Sequence, residues 1–187
     1  VPSYARMALA EDGVWVAWQD ETEEDELLRV QRFSRTLVPT LGTGGRLVRN
    51  DYGRIVGISI CSDGEGGVIL GWNDQRIGLN EVHVQKVDED GSFRWEDNGL
   101  ALGLDQRESY DPRIVGDGSG GALVMWTANV GGIDTDPFVQ RIVRDAKELG
   151  EHGGFPRRPI PSELCRPLPV TSHTVEGYRD YLEARDL

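Results

Sequence analysis

The densest group of chemically capable side chains is a run of acids. Glu21, Glu23, Glu24, Asp25 and Glu26 lie within six residues. Several carboxylate oxygens on a flexible loop are the ligands that Ca²⁺ requires. The same composition is typical of an acidic loop that is simply solvated. We favour the solvated loop and expect no cofactor, and a Ca²⁺ site is the alternative.

No set of side chains predicts covalent or acid–base catalysis. Ser119 lies in a glycine-rich segment, but the corresponding segment earlier in the chain carries Glu65 at that position, which indicates a recurrent turn. The three histidines, His83, His152 and His173, show neither metal-ligand nor triad-like spacing. Ser-His and Cys-His catalysis both need such a partner. We therefore expect no catalytic residues.

The two cysteines, Cys61 and Cys165, are too few for a disulfide framework or a four-ligand zinc site. A single structural disulfide between them, in an oxidising compartment, is one interpretation. Two separate buried thiols are the other, and the one we favour.

Composition excludes several classes of partner. The 187 residues carry 20 Lys and Arg against 32 Asp and Glu, a formal net charge of -12. A nucleic-acid binder or a protein that docks on anionic lipid would present a basic face. The sequence has no apolar run of the roughly 18 residues that a membrane helix needs. We therefore expect neither nucleic-acid binding nor membrane insertion.

An internal repeat organises the chain. Trp18, Trp72 and Trp126 are spaced by 54 residues, and each ends an apolar run that begins with glycine. Two further landmarks recur at the same interval, with one inserted residue in the third copy: a glutamine followed by a base, and then a glycine. They are Gln31-Arg32, Gln85-Lys86 and Gln140-Arg141, followed by Gly45, Gly99 and Gly154. We expect the three tryptophans to be buried packing residues. The three glutamines should be structural brackets that hydrogen-bond to backbone, because an unpaired buried amide is costly.

Each repeat predicts four short strands. In the second copy these are 54–61, 68–72, 81–87 and an outer strand at 92–95 that continues toward Leu102. A unit of about 54 residues with four antiparallel strands, the second of them apolar on both faces, is typical of a β-propeller blade. The predicted fold is all-β, with three propeller-like blades at about 1–50, 51–105 and 106–155. Residues 156–187 are predicted to form a proline-rich strap with a short helix at 174–186.

The repeat resembles one found in bacterial secreted and cell-surface proteins of propeller type. The residues that carry the resemblance run from Asp63-Gly-Glu-Gly-Gly through Trp72 and Val82-His-Val-Gln-Lys-Val-Asp to Trp95 and Asn98-Gly99. The resemblance implies a propeller architecture and a secreted, periplasmic or cell-surface location in a bacterium. It implies little about activity, because members of that group are mostly uncharacterised.

Three blades are fewer than the four to eight of closed propellers. Either the chain continues into further blades, or two chains complete a ring, or the units form an open array. Two unmatched blade faces would be apolar, and such surfaces mark interfaces. Self-association or covalent continuation is therefore expected.

The loops after each second strand and before each first strand are expected to share one face, where propellers usually bind ligands. That face provides acids, arginines and tyrosines, a mixture suited to protein or glycan contact. The candidate ligand-binding residues are Tyr52, Asp74, Arg76, Asn80, Arg107, Tyr110 and Asp111. The leading hypothesis is a non-enzymatic extracellular binding or assembly module. A carbohydrate-active hydrolase or lyase on a propeller scaffold, which would need paired carboxylates, is the alternative.

Overall fold

The computed structural model describes residues 3–21, 26–76, 78–102, 108–131 and 134–144. Within these ranges the chain is all-β, with eleven strands and no helix. The strands are β1 (Ser3–Ala10), β2 (Gly13–Glu21), β3 (Glu26–Ser34), β4 (Arg46–Arg49), β5 (Ile55–Ser62), β6 (Val68–Asp74), β7 (Glu81–Val87), β8 (Leu100–Leu102), β9 (Ser109–Gly116), β10 (Ala122–Gly131) and β11 (Asp134–Ile142). The proposed proline-rich strap and the helix at 174–186 lie outside the described residues.

The strands form three antiparallel sheets in which each strand pairs with the next along the chain. Sheet 1 has the order β1-β2-β3-β4, sheet 2 the order β5-β6-β7-β8, and sheet 3 the order β9-β10-β11. None of these sheets closes into a barrel in the described part of the chain. No helix in that part is long and apolar enough to cross a membrane.

The strand register reproduces the sequence repeat. Val16 pairs with Gln31, Leu70 with Gln85 and Val124 with Gln140. The recurrent tryptophans lie two residues farther along, where Trp72 pairs with His83 and Trp126 with Phe138. Corresponding residues of the three copies therefore occupy corresponding positions in the three sheets.

The fourth strand differs from the prediction. The sequence places it at 92–95, whereas the structure has β8 at Leu100–Leu102. Residues 88–99 form turns instead, with Phe93 making only an isolated bridge to Val87. The physical reason is Gln85, whose side chain binds the backbone of this segment on both sides and holds it away from a regular ladder.

A β-bulge recurs in the first strand of every sheet, opposite the recurrent tryptophan. The register shifts between Ser3 and Arg6, between Val56 and Ser59, and between Met125 and Thr127 on the partner strand of β9. One residue of each bulge has positive φ: Tyr4 (55°), Gly57 (64°) and Asp111 (52°). Because the bulge interrupts the ladder, β9 tolerates Pro112, which has no N–H to donate.

Sheet 2 lies between the other two sheets. Alternate residues of β6 pack toward opposite sides, since successive side chains of a strand point to opposite faces. Val68, Leu70 and Trp72 join a core with residues of sheet 1, including Trp15 and Ala17. On the other side a second core joins residues of sheets 2 and 3: Ile69, Val82, Val84, Trp95, Leu100, Leu102, Ile114, Ala122, Val124, Trp126, Ala128 and Ile142.

Candidate functional site

The loops that the sequence predicts to share a face are joined by hydrogen bonds. The N–H of Gln75 donates to the carbonyl of Arg54 (3.0 Å), and that of Ser109 donates to the carbonyl of Asn80 (2.8 Å). Asn50 donates its N–H to the side-chain oxygen of Asn98 (3.2 Å). The β4–β5, β6–β7 and β7–β8 connections and the start of β9 therefore meet at one end of the sheets.

A buried ion pair between Arg49 and Asp74 lies at the loop end of the sheets. Arg49, at the end of β4, donates from Nε and Nη2 to the two carboxylate oxygens of Asp74, each at 3.1 Å. Both side chains are fully buried. Asp74 also accepts from Arg76 Nη2 (2.5 Å) and from the indole N–H of Trp72 (2.9 Å). The carboxylate thus joins sheet 1 to sheet 2 and anchors the β6–β7 loop.

The hydrogen bonds decide the protonation state of Asp74. Burial alone would raise its pKa, but the hydrogen bonds from Arg76, Arg49 and Trp72 outweigh burial and hold the pKa well below its ordinary value. Asp74 is therefore ionised at neutral pH, and both of its carboxylate oxygens accept hydrogen bonds. Of the two sequence-predicted ligand-binding residues here, Asp74 faces the protein interior and Arg76 is partly exposed.

Tyr52 is one of the two exposed residues, with Asp111, among the predicted ligand-binding residues that the structure describes. Tyr52 is 77% exposed, yet its backbone is fixed, because its carbonyl oxygen accepts from Arg49 Nη2 and the carbonyl of Gly53 accepts from Arg49 Nη1 (3.1 Å). The phenol ring therefore projects into solvent from a loop that a buried guanidinium holds in place.

Asn80, Tyr110 and Asp111 lie at the junction of sheets 2 and 3. The side-chain oxygen of Asn80 accepts from Gln75 Nε2 (2.7 Å), and Tyr110 donates its hydroxyl to the carboxylate of Glu108. That hydrogen bond raises the pKa of Tyr110. The N–H of Asp111 donates to the side-chain oxygen of buried Asn73 (3.0 Å). Arg107 lies outside the described residues.

The acidic loop is described only at its two ends. Glu26 accepts from the N–H of Ile55 (2.6 Å) and pairs with Arg54 (3.5 Å), so its carboxylate links sheet 1 to sheet 2. Glu21 is exposed. Glu23, Glu24 and Asp25 lie outside the described residues. Among the residues that are described, no group of three His, Cys, Asp or Glu side chains is placed to hold a metal ion, and the Ca²⁺ alternative stays untested.

Two of the recurrent glutamines make the same three hydrogen bonds. Gln31 accepts from the N–H groups of Arg32 (3.0 Å) and Leu41 (2.9 Å) and donates to the carbonyl of Gly42 (2.7 Å). Gln85 accepts from Lys86 (3.0 Å) and Trp95 (3.1 Å) and donates to Glu96 (2.7 Å). In both sheets the amide therefore fixes the segment that leads to the fourth strand. The corresponding segment after Gln140 lies beyond the described residues.

The recurrent base has a role that the sequence analysis missed. Lys86 Nζ lies 3.0 Å from Asp63, and Arg141 Nε donates to Asp117 (2.9 Å). Each aspartate opens the turn between the first two strands and also accepts two N–H groups of that turn, from Glu65 and Gly67 for Asp63. The signal in the sequence was the recurrence of Asp-Gly together with the base that follows each glutamine.

The remaining titratable candidates are parts of the packing. His83 stacks on Trp72 with ring centroids 5.9 Å apart, and Nε2 of its imidazole lies 3.4 Å from the carboxylate of Glu81. Burial, together with the charges of Asp63 and Asp117, raises the pKa of the Cys61 thiol to about 12. Cys165, His152 and His173 lie outside the described residues, so the disulfide and thiol interpretations both stand.

No known family model, curated protein or solved structure matches the sequence. Function is therefore inferred from the geometry of the chain itself, above all from the loop end that carries Tyr52 and from the stacking of the sheets.

Proposed function

We propose that the chain is a propeller-type binding module without catalytic activity, which contacts a protein or a glycan through the loop end of its sheets. The propeller interpretation is supported by the succession of the sheets. The first strands contact one another in order, β1 with β5 and β5 with β9. Such an arrangement places the first strand of each blade nearest a common axis. The recurrent positions Trp72 and Trp126 belong to the two cores between sheets.

The observation that carries the binding proposal is the exposed ring of Tyr52 on a rigid loop. Exposed side chains on loops held by a rigid scaffold are disproportionately ligand contacts. A tyrosine supplies a large amphipathic contact surface at a small cost in side-chain entropy. The buried pair of Arg49 and Asp74 fixes the backbone of this loop. Tyr52 would therefore contact the ligand, and the ion pair would position Tyr52. Arg76 and Tyr110, both partly exposed, complete the contact surface.

The proposed location is outside the bacterial cytoplasm, in agreement with the acidic composition and with the repeat pattern described above. At a net charge of -12, a polyanionic glycan would be repelled. A neutral glycan or a protein with a basic surface is therefore the ligand class that this end of the molecule fits best.

The test is binding of the whole chain to a panel of neutral and acidic polysaccharides and to a glycan array, followed by Tyr52→Ala on any ligand found. We expect Tyr52→Ala to weaken binding by tenfold or more, as expected for a central aromatic contact. Leu37→Ala is the control, because Leu37 is also a large exposed side chain (71%) but lies in the β3–β4 connection, at the opposite end of the sheets. Equal losses in both variants, or no loss in either, would refute the role of Tyr52.

A further inference from the structure

We propose that two copies of this chain pack head to tail, so that the outer face of sheet 1 in each copy covers the outer face of sheet 3 in the other. This proposal rests on the proposed function in one respect, the propeller-like stacking of the three sheets. It names a partner surface that the binding proposal does not need. The outer face of sheet 1 is called the Trp18 face, and consists of Met7, Leu9, Val14, Val16 and Trp18. The outer face of sheet 3 is called the Met125 face, and consists of Val115, Leu123, Met125 and Val139.

Strand register defines the Trp18 face. Trp15 and Ala17 point toward sheet 2 and belong to the core that it shares with sheet 1. Val14, Val16 and Trp18 alternate with them and therefore point outward. Met7 pairs with Val16 and Leu9 with Val14, so both lie on the same outward face. Met7 is 74% exposed and Leu9 80%, whereas Val14, Val16 and Trp18 are partly buried. Trp18 is therefore less buried than the sequence predicts, unlike Trp72 and Trp126.

The Met125 face follows from the same argument on sheet 3. Val124 and Trp126 pack toward sheet 2, so Leu123 and Met125 point away from it. Val115 pairs with Leu123, and Val139 with Met125. Met125 and Val139 are each 43% exposed. The described part of the chain therefore carries one apolar face at each end of the stack.

The residues that correspond to Val139 and Met7 in the neighbouring sheets are buried. Val139 corresponds to Val84 in sheet 2 and to Val30 in sheet 1, because these three pair with Met125, Gly71 and Ala17 at the same point of the repeat. Val30 and Val84 are fully buried. Met7 corresponds to Ile114, which is also buried. Each face is thus a sheet surface that is equivalent to a buried one but has no described sheet packed against it.

The two faces are complementary, and neither is complementary to itself. At the junction of sheets 1 and 2, the side that carries Leu70 and Trp72 packs on the side that carries Ala17 and Val30. At the junction of sheets 2 and 3, Val124 and Trp126 pack on Ile69 and Val84. The Trp18 face corresponds to the side that carries Leu70 and Trp72 in sheet 2. The Met125 face corresponds to the opposite side, which carries Ile69 and Val84 in sheet 2. A second copy of this chain supplies the missing partner of each.

A polar contact supports the same direction of packing. Lys86 and Arg32 correspond to Arg141, and both reach from their own sheet to the next one. Lys86 Nζ donates to the carbonyl of Gly120 (2.9 Å), and Arg32 lies 2.9 Å from Glu89. Arg141 is exposed and pairs only with Asp117 and Ser119 of its own sheet among the contacts described. In the head-to-tail pair it lies at the edge of the Met125 face, facing sheet 1 of the other copy.

Head-to-tail contact between two copies uses both faces of both chains. Such a pair is a closed ring, whereas a head-to-tail contact that does not close gives a filament. Two copies bring together six sheets, which lies within the four to eight blades of closed propellers. We therefore expect a dimer and not a larger series of species.

The experiment measures the mass of the whole chain by sedimentation equilibrium, for wild type and for one charge-insertion variant on each face. Leu9→Glu alters the Trp18 face, and Val139→Glu alters the Met125 face. Each homodimer then contains a damaged face in both of its contacts. We expect wild type to be a dimer and the dissociation constant of each variant to rise by about thirtyfold or more, since central interface residues have effects of this size. Tyr52→Glu, in the loop before β5, is the control and should remain dimeric.

Mixing the two variants separates head-to-tail packing from other pairings. A Leu9→Glu chain keeps an intact Met125 face, and a Val139→Glu chain keeps an intact Trp18 face. The mixture should form a heterodimer through the one intact contact. A wild-type monomer would overturn the proposal, and so would a variant that stays fully dimeric on its own, which indicates like-with-like packing. The proposal would also be overturned if both variants were monomeric and their mixture formed no heterodimer. This conclusion requires that each variant keeps the far-ultraviolet circular dichroism of the wild type.

Discussion

Val84 and Val139 occupy the same position in neighbouring sheets, but Val84 is fully buried and Val139 is 43% exposed. The difference is not in residue type, because both are valine. It arises because sheet 3 packs against Val84, whereas no sheet in the described part of the chain packs on Val139. Since burial of a valine side chain contributes about 1.5–3 kcal/mol, the position alone predicts that something covers Val139.

The bracket role of the glutamines predicts a specific loss of stability. Gln85→Ala removes three hydrogen bonds and leaves the buried N–H of Trp95 without the partner it has in the wild type, whereas the carbonyl of Glu96 still accepts from the N–H of Gly99 (3.0 Å). An unsatisfied buried polar group costs about 1–3 kcal/mol. We expect chemical denaturation to show a loss in that range or above it, with ligand binding unchanged. Gln75→Ala, which removes one loop hydrogen bond, should cost less. Equal costs would contradict the bracket role.

The recurrent glycine is predicted to be required by the recurrent tryptophan. A methyl group added at Gly99 would lie 2.3 Å from Cη2 of Trp72, and one added at Gly45 would lie 2.4 Å from the carbonyl oxygen of Val30 and 3.0 Å from Cη2 of Trp18. Gly78 is the matched control, because its φ of 86° equals that of Gly99 within a degree, while a methyl group there would contact nothing. Both alanine variants share the strain of positive φ, about 1–2 kcal/mol.

The clash adds a further cost at Gly99 alone. Overpacking typically costs about 1–3 kcal/mol. Gly99→Ala should therefore lower the free energy of unfolding by that amount more than Gly78→Ala does, as measured by urea denaturation. If the two variants are equally stable, the close approach of Trp72 is not what selects glycine.

The buried carboxylate of Asp74 predicts a dependence of stability on pH. Its folded-state pKa lies below its unfolded value near 3.8, so the unfolded state binds the proton more tightly. The stabilisation is fully present above about pH 4 and decreases as the pH falls below that value. Asp74→Asn should cost about 3–5 kcal/mol at pH 7, because it leaves Arg49 buried without its anion.

The same variant should also respond less to acid. Between pH 5 and pH 2.5 the free energy of unfolding of wild type should decrease more than that of Asp74→Asn. Urea titrations of both proteins at several pH values measure this difference. Parallel pH profiles would contradict the proposed charge state of Asp74.

The raised pKa of Cys61 predicts an unreactive thiol. With a pKa of about 12, only about one thiol in ten thousand is ionised at pH 8, and the thiolate is the reactive form. In a Cys165→Ser background, alkylation of Cys61 at pH 8 should be at least a hundredfold slower in the folded protein than in guanidinium chloride. Equal rates would show that the thiol is neither buried nor electrostatically suppressed.

The sequence repeat was sufficient to predict an all-β fold with matched strands, because the apolar runs and the turns recur in register. It was not sufficient for the fourth strand, since the side chain of Gln85 and not the local pattern holds residues 88–99 in turns. It also could not distinguish Asp74 from an exposed loop acid. Its partner Arg49 lies 25 residues earlier, in another sheet, and only the packing of the sheets brings the two together.

The two methionines of the chain test the central claim most directly, because Met7 lies on the Trp18 face and Met125 on the Met125 face. Exposed methionine is readily oxidised to the sulfoxide. Oxidation by hydrogen peroxide, followed by mass spectrometry at a concentration where the mass is also measured, reports how well each face is covered. We predict that both residues are protected in the dimer and that both become reactive in the monomeric Leu9→Glu and Val139→Glu variants. Free oxidation of both in the wild type, or protection in a monomer, would contradict head-to-tail packing between two copies.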